Sequence, residues 1–316
     1  MQRPSLAREK TRRKVSINGV SSLLLVSGEE LRAWYEEAKV AAIAAGISPY
    51  EVDWLIGAFS TLDRLALRLG ISPAARIELQ IPFPELVRLW QQRLQDCVPV
   101  QYLAGKTTWR HLQLKVTPDV LIPRPETELA IDLAIASRST SLDPPQHWVD
   151  LGTGSGAIAI GLASGFPAAT IHAVDLSPQA LEIARENARN CGFEKNIKFY
   201  QGAWFEPLKH LKGQICGMVS NPPYIPTTAL ASLQPEVARH EPHLALDGGA
   251  DGLDCLRILV DAAPDYLRSG GLWLVEMMAG QAQQVTALLE ARGSYDNVQI
   301  FSDLAGIERF ACAYRR

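Results

Sequence analysis

From His147 onward, short apolar runs alternate with segments whose apolar residues recur at helical spacing, and this alternation restricts that part of the chain to a sheet covered by helices. Strands are expected at His147–Leu151, Thr170–Asp175, Asn196–Gln201, Ile215–Ser220, Leu272–Glu276, Asn297–Phe301 and Arg309–Tyr314. Helices are expected between them at Ala157–Ser164, Pro178–Asn190, Leu253–Leu267 and Gln281–Ala291. Strands joined through a helix lie parallel, because only a long crossover returns the chain to the same end of the sheet. The last two strands are separated by Ser302 to Glu308 alone and must pair antiparallel. The fold class that follows is α/β, with a mixed sheet of seven strands.

The preceding residues read differently. Ser27-Gly28-Glu29-Glu30 matches a capping box, followed by Leu31, Trp34, Tyr35 and Ala38 at helical spacing up to Gly46. Further helices are expected after Ser48-Pro49, over Leu62–Leu69, after Ser72-Pro73 and over Pro84–Cys97. This gives a small all-α N-terminal domain over residues 27–98, with no titratable cluster of its own. Its aromatics Trp34, Tyr35, Trp54 and Trp90 are read as core. Residues 99–123 read as a β-hairpin linker, with β runs Val100–Gly105 and Trp109–Val116 joined around Gly105-Lys106-Thr107. Residues 124–316 form the α/β domain. Residues 1–26 read as a solvated, disordered leader, since Met1 to Lys14 holds Arg3, Arg8, Lys10, Arg12, Arg13 and Lys14 against Glu9; a weak RNA contact is the alternative, and an organelle-targeting peptide is disfavoured.

Three stretches at expected strand ends carry the chemistry. The run Ile215–Ser220 stops at Asn221-Pro222-Pro223-Tyr224. Two prolines lack N–H groups and fix φ, so the chain leaves the sheet as a stiff turn with carbonyls that no ladder uses. A planar NH2 group could give its two hydrogens to the Asn221 side-chain oxygen and the Pro222 carbonyl while lying against Tyr224. Taken alone, the turn reads better as a rigid strand ending. The second stretch is Gly152-Thr153-Gly154-Ser155-Gly156, between a strand and a helix. Such a turn lets a ligand approach the backbone and places it at the free N–H groups of a helix start. Its Gly-x-Gly-x-Gly spacing differs from the Gly-x-Gly-x-x-Gly of dinucleotide folds. The third is Asp175, ending the next strand, where a carboxylate can accept both hydroxyls of a ribose. Ser177 before Pro178 can cap the following helix, leaving Asp175 free for a ligand. All three lie on one rim of a parallel sheet. A nucleoside site beside an NH2 clamp points to group transfer to nitrogen.

Composition narrows the classes. A formal net charge of −3 argues against a protein that grips duplex nucleic acid through a broad basic face. Cys97, Cys191, Cys216, Cys255 and Cys312 form no Cys-x-x-Cys pair, so no metal site and no disulfide framework is expected, and the pattern fits a reducing cytoplasm. No apolar run is long enough to span a bilayer, and no membrane partner is expected.

At this point the chain resembles a known family. Asp-Leu-Gly-Thr-Gly-Ser-Gly at 150–156, Ala-Val-Asp at 173–175 and Ser-Asn-Pro-Pro-Tyr-Ile at 220–225 resemble the motifs of S-adenosylmethionine-dependent (class I, Rossmann-like) methyltransferases. The run Ile122-Pro123-Arg124-Pro125-Glu126-Thr127-Glu128 is more particular. So are Trp204-Phe205-Glu206-Pro207-Leu208, Glu241-Pro242 and Ala245-Leu246-Asp247-Gly248-Gly249. Together they resemble the HemK/PrmC family, which methylates the N5 amide nitrogen of glutamine in the Gly-Gly-Gln motif of peptide chain release factors. The resemblance implies S-adenosyl-L-methionine as cofactor, with Gly152, Thr153, Gly154, Ser155 and Gly156 around its methionine part, Asp175 at the ribose, Trp204 near the adenine, and Asn221 touching cofactor and substrate. It implies that Asn221, Pro222, Pro223 and Tyr224 hold the glutamine amide, with Asn221, Pro222 and Tyr224 catalytic. It also implies release factors as partners, with no stable nucleic-acid binding; a part in substrate recognition is assigned to the helical domain by elimination, since it is expected to lack chemistry of its own. Two departures stand out: Ala203 where many members have an acidic residue, and Met277-Met278 after Glu276. An N6-adenine DNA or RNA methyltransferase and a non-catalytic nucleoside-binding module are the alternatives on the same fold.

Overall fold

The computed structural model describes residues 24–137 and 146–316, and the basic stretch Met1–Lys14 lies outside the described residues. The chain divides into two compact units, with the boundary between Asp96 and Cys97.

The smaller unit is helical, with one ribbon that the sequence reading did not contain. Its elements run β1 (Leu25–Ser27), α1 (Gly28–Ala44), α2 (Tyr50–Phe59), α3 (Arg64–Leu69), β2 (Arg76–Glu78) and α4 (Phe83–Asp96). The end of the expected leader is therefore ordered. Leu25–Ser27 pair antiparallel with Arg76–Glu78, with Val26 and Ile77 turned inward. Ser72-Pro73 does not open a helix. The Ala75 N–H donates to the Ser72 carbonyl (3.0 Å), closing a turn that feeds β2. Ser27 caps α1 as its sequence suggests, its Oγ accepting from the Glu30 N–H (3.1 Å), and Asp63 caps α3 through the Ala66 N–H (2.7 Å). Gly28 is required by close approach: a Cβ there would lie 1.9 Å from the Ser72 carbonyl oxygen. Tyr35 and Trp90 are buried, while Trp34 and Trp54 are half-buried. The unit does hold a titratable cluster: Tyr35 donates to buried Asp53 (2.6 Å) and accepts from Lys39 (3.2 Å).

In the larger unit, α5 (Val100–Ala104) replaces the first expected β run. Apolar content made it look like a strand, but Pro99 and left-handed Gly105 (φ 68°) bound a single helical turn. The hairpin lies just after it, between β3 (Lys106–Trp109) and β4 (Leu112–Lys115), and turns at Arg110-His111 rather than at Gly105–Thr107. Arg110 holds φ 52° because long-range partners fix it: its N–H donates to Glu128 Oε1 (2.7 Å) and its guanidinium to the Glu128 carbonyl and Asp132. Then follow α6 (Glu128–Ala136), β5 (His147–Leu151), α7 (Ala157–Gly165), β6 (Thr170–Asp175), α8 (Pro178–Asn190), β7 (Ile197–Gln201), β8 (Ile215–Ser220), α9 (Pro235–His240), α10 (Asp254–Tyr266), β9 (Leu267–Glu276), α11 (Ala282–Arg292), β10 (Tyr295–Ser302) and β11 (Glu308–Arg315).

The sheet is seven-stranded and mixed, in the order β10-β11-β9-β8-β5-β6-β7. Strands β5 to β9 are parallel, and β11 runs antiparallel between β9 and β10. Each face carries its own core. Trp148, Ala173, Val219, Leu272 and Leu274 point to the face covered by α6 and α7, whereas Val149, Val174, Met218, Trp273 and Val275 point to that covered by α10 and α11. Alternation along a strand sends successive side chains to opposite faces, so near-continuous apolar strands mark a sheet buried on both sides. The chain steps from β5 outward to β6 and β7, then returns to β8 on the other side of β5. That reversal leaves a crevice above the C-terminal ends of β5, β6 and β8, where ligands bind in open α/β sheets.

Candidate active site

A cavity of ≈ 300 Å³ occupies that crevice. Gly152 and Gly154 beyond β5, Asp175 at the end of β6, Ala203 and Trp204 beyond β7, and Asn221 and Pro223 beyond β8 all line it. Asp119 to Leu121 wall it before α6, and Pro242, Leu244, Ala245 and Asp247 wall it before α10. The three sequence motifs thus meet in one place. Thr153, Ser155, Gly156, Pro222 and Tyr224 do not line the cavity.

Their contacts say what they do instead. The Thr153 hydroxyl donates to Asp150 Oδ2 (2.5 Å), and the Ala159 N–H donates to the same oxygen (2.9 Å), which fastens the start of α7 to the end of β5. Burial pushes the Asp150 carboxyl up to about 7, and its Oδ1 is buried without a partner among the described residues. Sequence reading missed Asp150. Its signal was an acidic residue between the apolar Val149 and Leu151 of a buried strand. The Ser155 carbonyl accepts from the buried Asn187 side chain (2.8 Å), which also brackets Lys115. Gly156 has φ 84°, and a Cβ there would lie 3.1 Å from the Ala184 Cβ, so its role in the fold is tight packing of α7 on α8.

The Gly-rich loop also differs from expectation in its donors. The Gly152 and Thr153 N–H groups donate to the Val174 carbonyl, Gly154 to Asp175 Oδ2 (2.8 Å), and Gly156 to the Thr153 carbonyl. The loop is an approach surface more than a cradle of free N–H groups. Ser177 does cap α8, its Oγ accepting from the Ala180 N–H (3.1 Å). Asp175 is nonetheless engaged, because its Oδ1 accepts from the Ser177 N–H (2.9 Å). Each carboxylate oxygen still has a lone pair to offer, so Asp175 is a fixed acceptor rather than a free one. Burial raises its carboxyl above the usual range, against the three backbone N–H groups that favour its charged form. A fixed diol acceptor, an aromatic wall at Trp204 and a side-chain-free approach at Gly152 and Gly154 suit a nucleoside cofactor. Trp204 holds a left-handed φ of 50° and leans over Gly152, whose Cβ would lie 3.8 Å from the ring.

At the other end, Asn221 Nδ2 donates to Thr127 Oγ1 (3.2 Å). Among the described residues, neither Asn221 Oδ1 nor the Pro222 carbonyl accepts a hydrogen bond. Thr127 Oγ1 donates to Glu276 Oε2 (2.6 Å), and the Tyr224 hydroxyl donates to Glu276 Oε1 (3.2 Å). The Tyr224 carbonyl accepts from Gln281 Nε2 (3.1 Å), which also reaches the Gly252 carbonyl (3.2 Å) and so staples the turn to the loop before α10. Gly252 must be glycine there, since a Cβ would lie 2.3 Å from the Tyr224 carbonyl oxygen. Arg124 pairs with the buried Glu241 (2.5 Å), joining the segment before α6 to the Pro242 wall. Thr127, Glu276, Gln281 and Glu241 were all absent from the sequence-based site. Glu276 had a signal of the kind that revealed Asp175, a carboxylate ending an apolar run.

Comparison with known proteins is consistent with this geometry. A methyltransferase domain family model matches residues 142–226. The chain is 55% identical to the release factor glutamine methyltransferase of Synechocystis sp. over 91% of this chain and 97% of that one. It is 47% identical to that of Thermosynechococcus vestitus, over 91% and 99%, and 43% identical to that of Moorella thermoacetica, over 84% and 91%. Among solved structures, the hMettl16 catalytic domain superposes with a TM-score of 0.53 at 13% identity, over 82% of this chain and 88% of that one, a likeness of fold alone.

Proposed function

The chain belongs to the release factor glutamine methyltransferase family, and on that premise we propose that it methylates the N5 amide nitrogen of the glutamine in the Gly-Gly-Gln motif of peptide chain release factors, with S-adenosyl-L-methionine as donor. The observation that carries the reading is the turn after β8. Asn221 lines the cavity together with Asp175 and Trp204 and commits its Nδ2 to Thr127, so that its Oδ1 and the carbonyl of the next residue, Pro222, are two unengaged acceptors among the described residues. Two acceptors side by side match the two hydrogens of a primary amide.

When bound, S-adenosyl-L-methionine would supply a methyl on a positively charged sulfur, and the methylated nitrogen would release one proton to water afterwards. In this reading Asp175 holds the ribose hydroxyls, Trp204 covers the adenine, and Gly152 and Gly154 leave room between. Asn221 and the Pro222 carbonyl hold the two amide N–H groups and aim the nitrogen, and Tyr224 bounds the amide plane. An amide nitrogen is a poor nucleophile because its lone pair is delocalised, so positioning supplies much of the rate. N–H bonds that strengthen as the nitrogen becomes positive stabilise the transition state more than the ground state. We assign part of release-factor recognition to the helical unit, where Val40 and Ile43 stand exposed on one face of α1.

The test is mass spectrometry of full-length release factor after incubation with purified protein and S-adenosyl-L-methionine. One methyl on the Gly-Gly-Gln glutamine is expected, with none on a Gly-Gly-Glu variant and none on DNA or RNA. A methyl on adenine, or none on the glutamine, overturns the reading.

A further inference from the structure

We propose that Thr127 and Glu276 are positioning residues that lock the Asn221 carboxamide with its oxygen toward the substrate, and that this lock sets the preference for an amide over a carboxylate. The inference rests on the reading of Asn221 as half of the amide clamp. An asparagine side chain has nearly the same shape with oxygen and nitrogen exchanged, so what faces the substrate is decided by what holds the other end. Here that end is Thr127 Oγ1, at 3.2 Å.

A hydroxyl has one hydrogen. Thr127 directs it to Glu276 Oε2 (2.6 Å), and Tyr224 directs its own to Oε1 (3.2 Å). With both carboxylate oxygens accepting, the Thr127 oxygen has only lone pairs left for Asn221, and the Asn221 group that meets it must be NH2. The polarity of the chain therefore runs from Asn221 through Thr127 to Glu276, and it leaves Oδ1 for the substrate. Sheet register makes this possible: Ser220 on β8 is paired with Val275 on β9, so Asn221 and Glu276 leave the sheet side by side. Glu276 is 2% exposed, which protects the relay from water.

A protonated Glu276 would break the pattern. If its new O–H turned to Thr127, the threonine hydrogen would turn to Asn221, which would then present NH2 to the substrate. The charged and titratable groups facing Glu276 are Tyr224 from the turn after β8, Arg309 on β11 and Glu126 beside Thr127. Burial raises the Glu276 carboxyl to about 7, against the hydrogen bonds from Thr127 and Tyr224 and the charge of Arg309. Turnover at saturating substrate should accordingly fall as pH drops below about 7.

The experiment compares Thr127→Val, Thr127→Ser, Glu276→Gln and Asn221→Ala as full-length proteins. The readouts are kcat and KM between pH 6 and 9, S-adenosyl-L-methionine affinity by calorimetry, and affinity for release factor carrying Gly-Gly-Gln or Gly-Gly-Glu. Thr127→Val is expected to lose about ten- to a hundredfold in kcat, the value of one oriented hydrogen bond, with cofactor affinity within about twofold of wild type. Freed to turn its NH2 outward, Asn221 in that variant should shift the binding preference toward Gly-Gly-Glu. Thr127→Ser keeps the hydroxyl and should restore wild-type behaviour. Glu276→Gln cannot titrate and should lose the acid limb of the pH profile. Should Thr127→Val prove unstable, Glu276→Gln decides: a wild-type acid limb in that variant overturns the proposal. Wild-type kcat, pH profile and amide preference in Thr127→Val, alongside an inactive Asn221→Ala, refute the lock and leave the clamp standing. A fully active Asn221→Ala refutes the clamp itself.

Discussion

Asn187 offers the sharpest test of how the fold holds the Gly-rich loop in place. It is fully buried on α8, its Oδ1 accepts from the Lys115 N–H (2.7 Å), and its Nδ2 donates to the carbonyls of Lys115 (2.9 Å) and Ser155 (2.8 Å). One side chain thereby ties β4 to the loop that lines the cavity. Asn187→Ala removes three hydrogen bonds and strands their partners away from water, at about 1–3 kcal/mol for each unsatisfied group. Partial relaxation brings the expected loss to about 4 kcal/mol. For a unit of this size that is about 10 °C in melting temperature. Asn187→Asp is the more telling change. It keeps the acceptor for Lys115 but points a charged oxygen at two carbonyls, so at pH 8 it should be at least as damaging as alanine. The sign with pH is fixed: the new carboxyl titrates higher in the folded than in the unfolded chain, so its penalty grows as pH rises from about 4 and fades as pH falls toward 4. Urea unfolding at pH 8 and pH 5 measures both, and calorimetry follows the accompanying loss of cofactor affinity. An Asn187→Asp protein within about 1 kcal/mol of wild type at pH 8 would refute the argument.

Three further outcomes are expected. Gly156→Ala must take a left-handed φ and press on Ala184, costing about 2 kcal/mol, and Ala184→Gly should recover only the contact part of that loss in thermal melts. Arg124→Met leaves the Glu241 carboxylate buried and unpaired, at about 3–5 kcal/mol, whereas adding Glu241→Leu should return most of it; equal stability of the single and double variants would show that Glu241 is not held by Arg124. Asp175→Ala should weaken S-adenosyl-L-methionine binding about thirtyfold, equivalent to about 2 kcal/mol, and a change under about threefold would remove Asp175 from the ribose site.

Where local signals and packing agreed, the sequence foretold the structure closely. The strand Ile215–Ser220 and the helix Pro178–Asn190 have the expected bounds, because two prolines end the one and Ser177-Pro178 begins the other. Val100–Ala104 was misread because five apolar and neutral residues carry no period, and only the left-handed Gly105 decides for a helical turn. The hairpin turn at Arg110 was not legible because its positive φ is held by Glu128 and Asp132, 18 and 22 residues away. The site divides in the same manner. Asp175 and Asn221 stand beside recognisable strand ends, whereas Thr127 and Glu276 are 149 residues apart and become neighbours only where the start of α6 meets the end of β9. Asp175 was expected to be free of the helix cap, and it proved to be an anchored acceptor because the loop turns the Gly154 N–H inward to meet it.

That inward turn also explains which ligands the crevice is built for. A dinucleotide pyrophosphate needs N–H donors converging on it from a Gly-rich loop. Here the N–H groups of Gly152, Thr153, Gly154 and Gly156 are already bonded within the protein, so anionic oxygens placed at this loop would find few donors. The order β8-β5-β6 sets Asp175 and Asn221 two strands apart, about 10 Å at the usual strand spacing. The loop between them is low and bare, with glycines at 152 and 154. A ligand anchored by a diol at Asp175 can therefore cross the end of β5 without phosphate and bring its far end to Asn221. A nucleoside with a short extension free of phosphate meets those conditions, and a Gly154→Ala change, placing a side chain at φ 53° in that passage, should weaken it more than it weakens free adenosine. Equal losses for the two in calorimetry would mean that the extension takes another route and that the donor economy of the loop has no bearing on ligand choice.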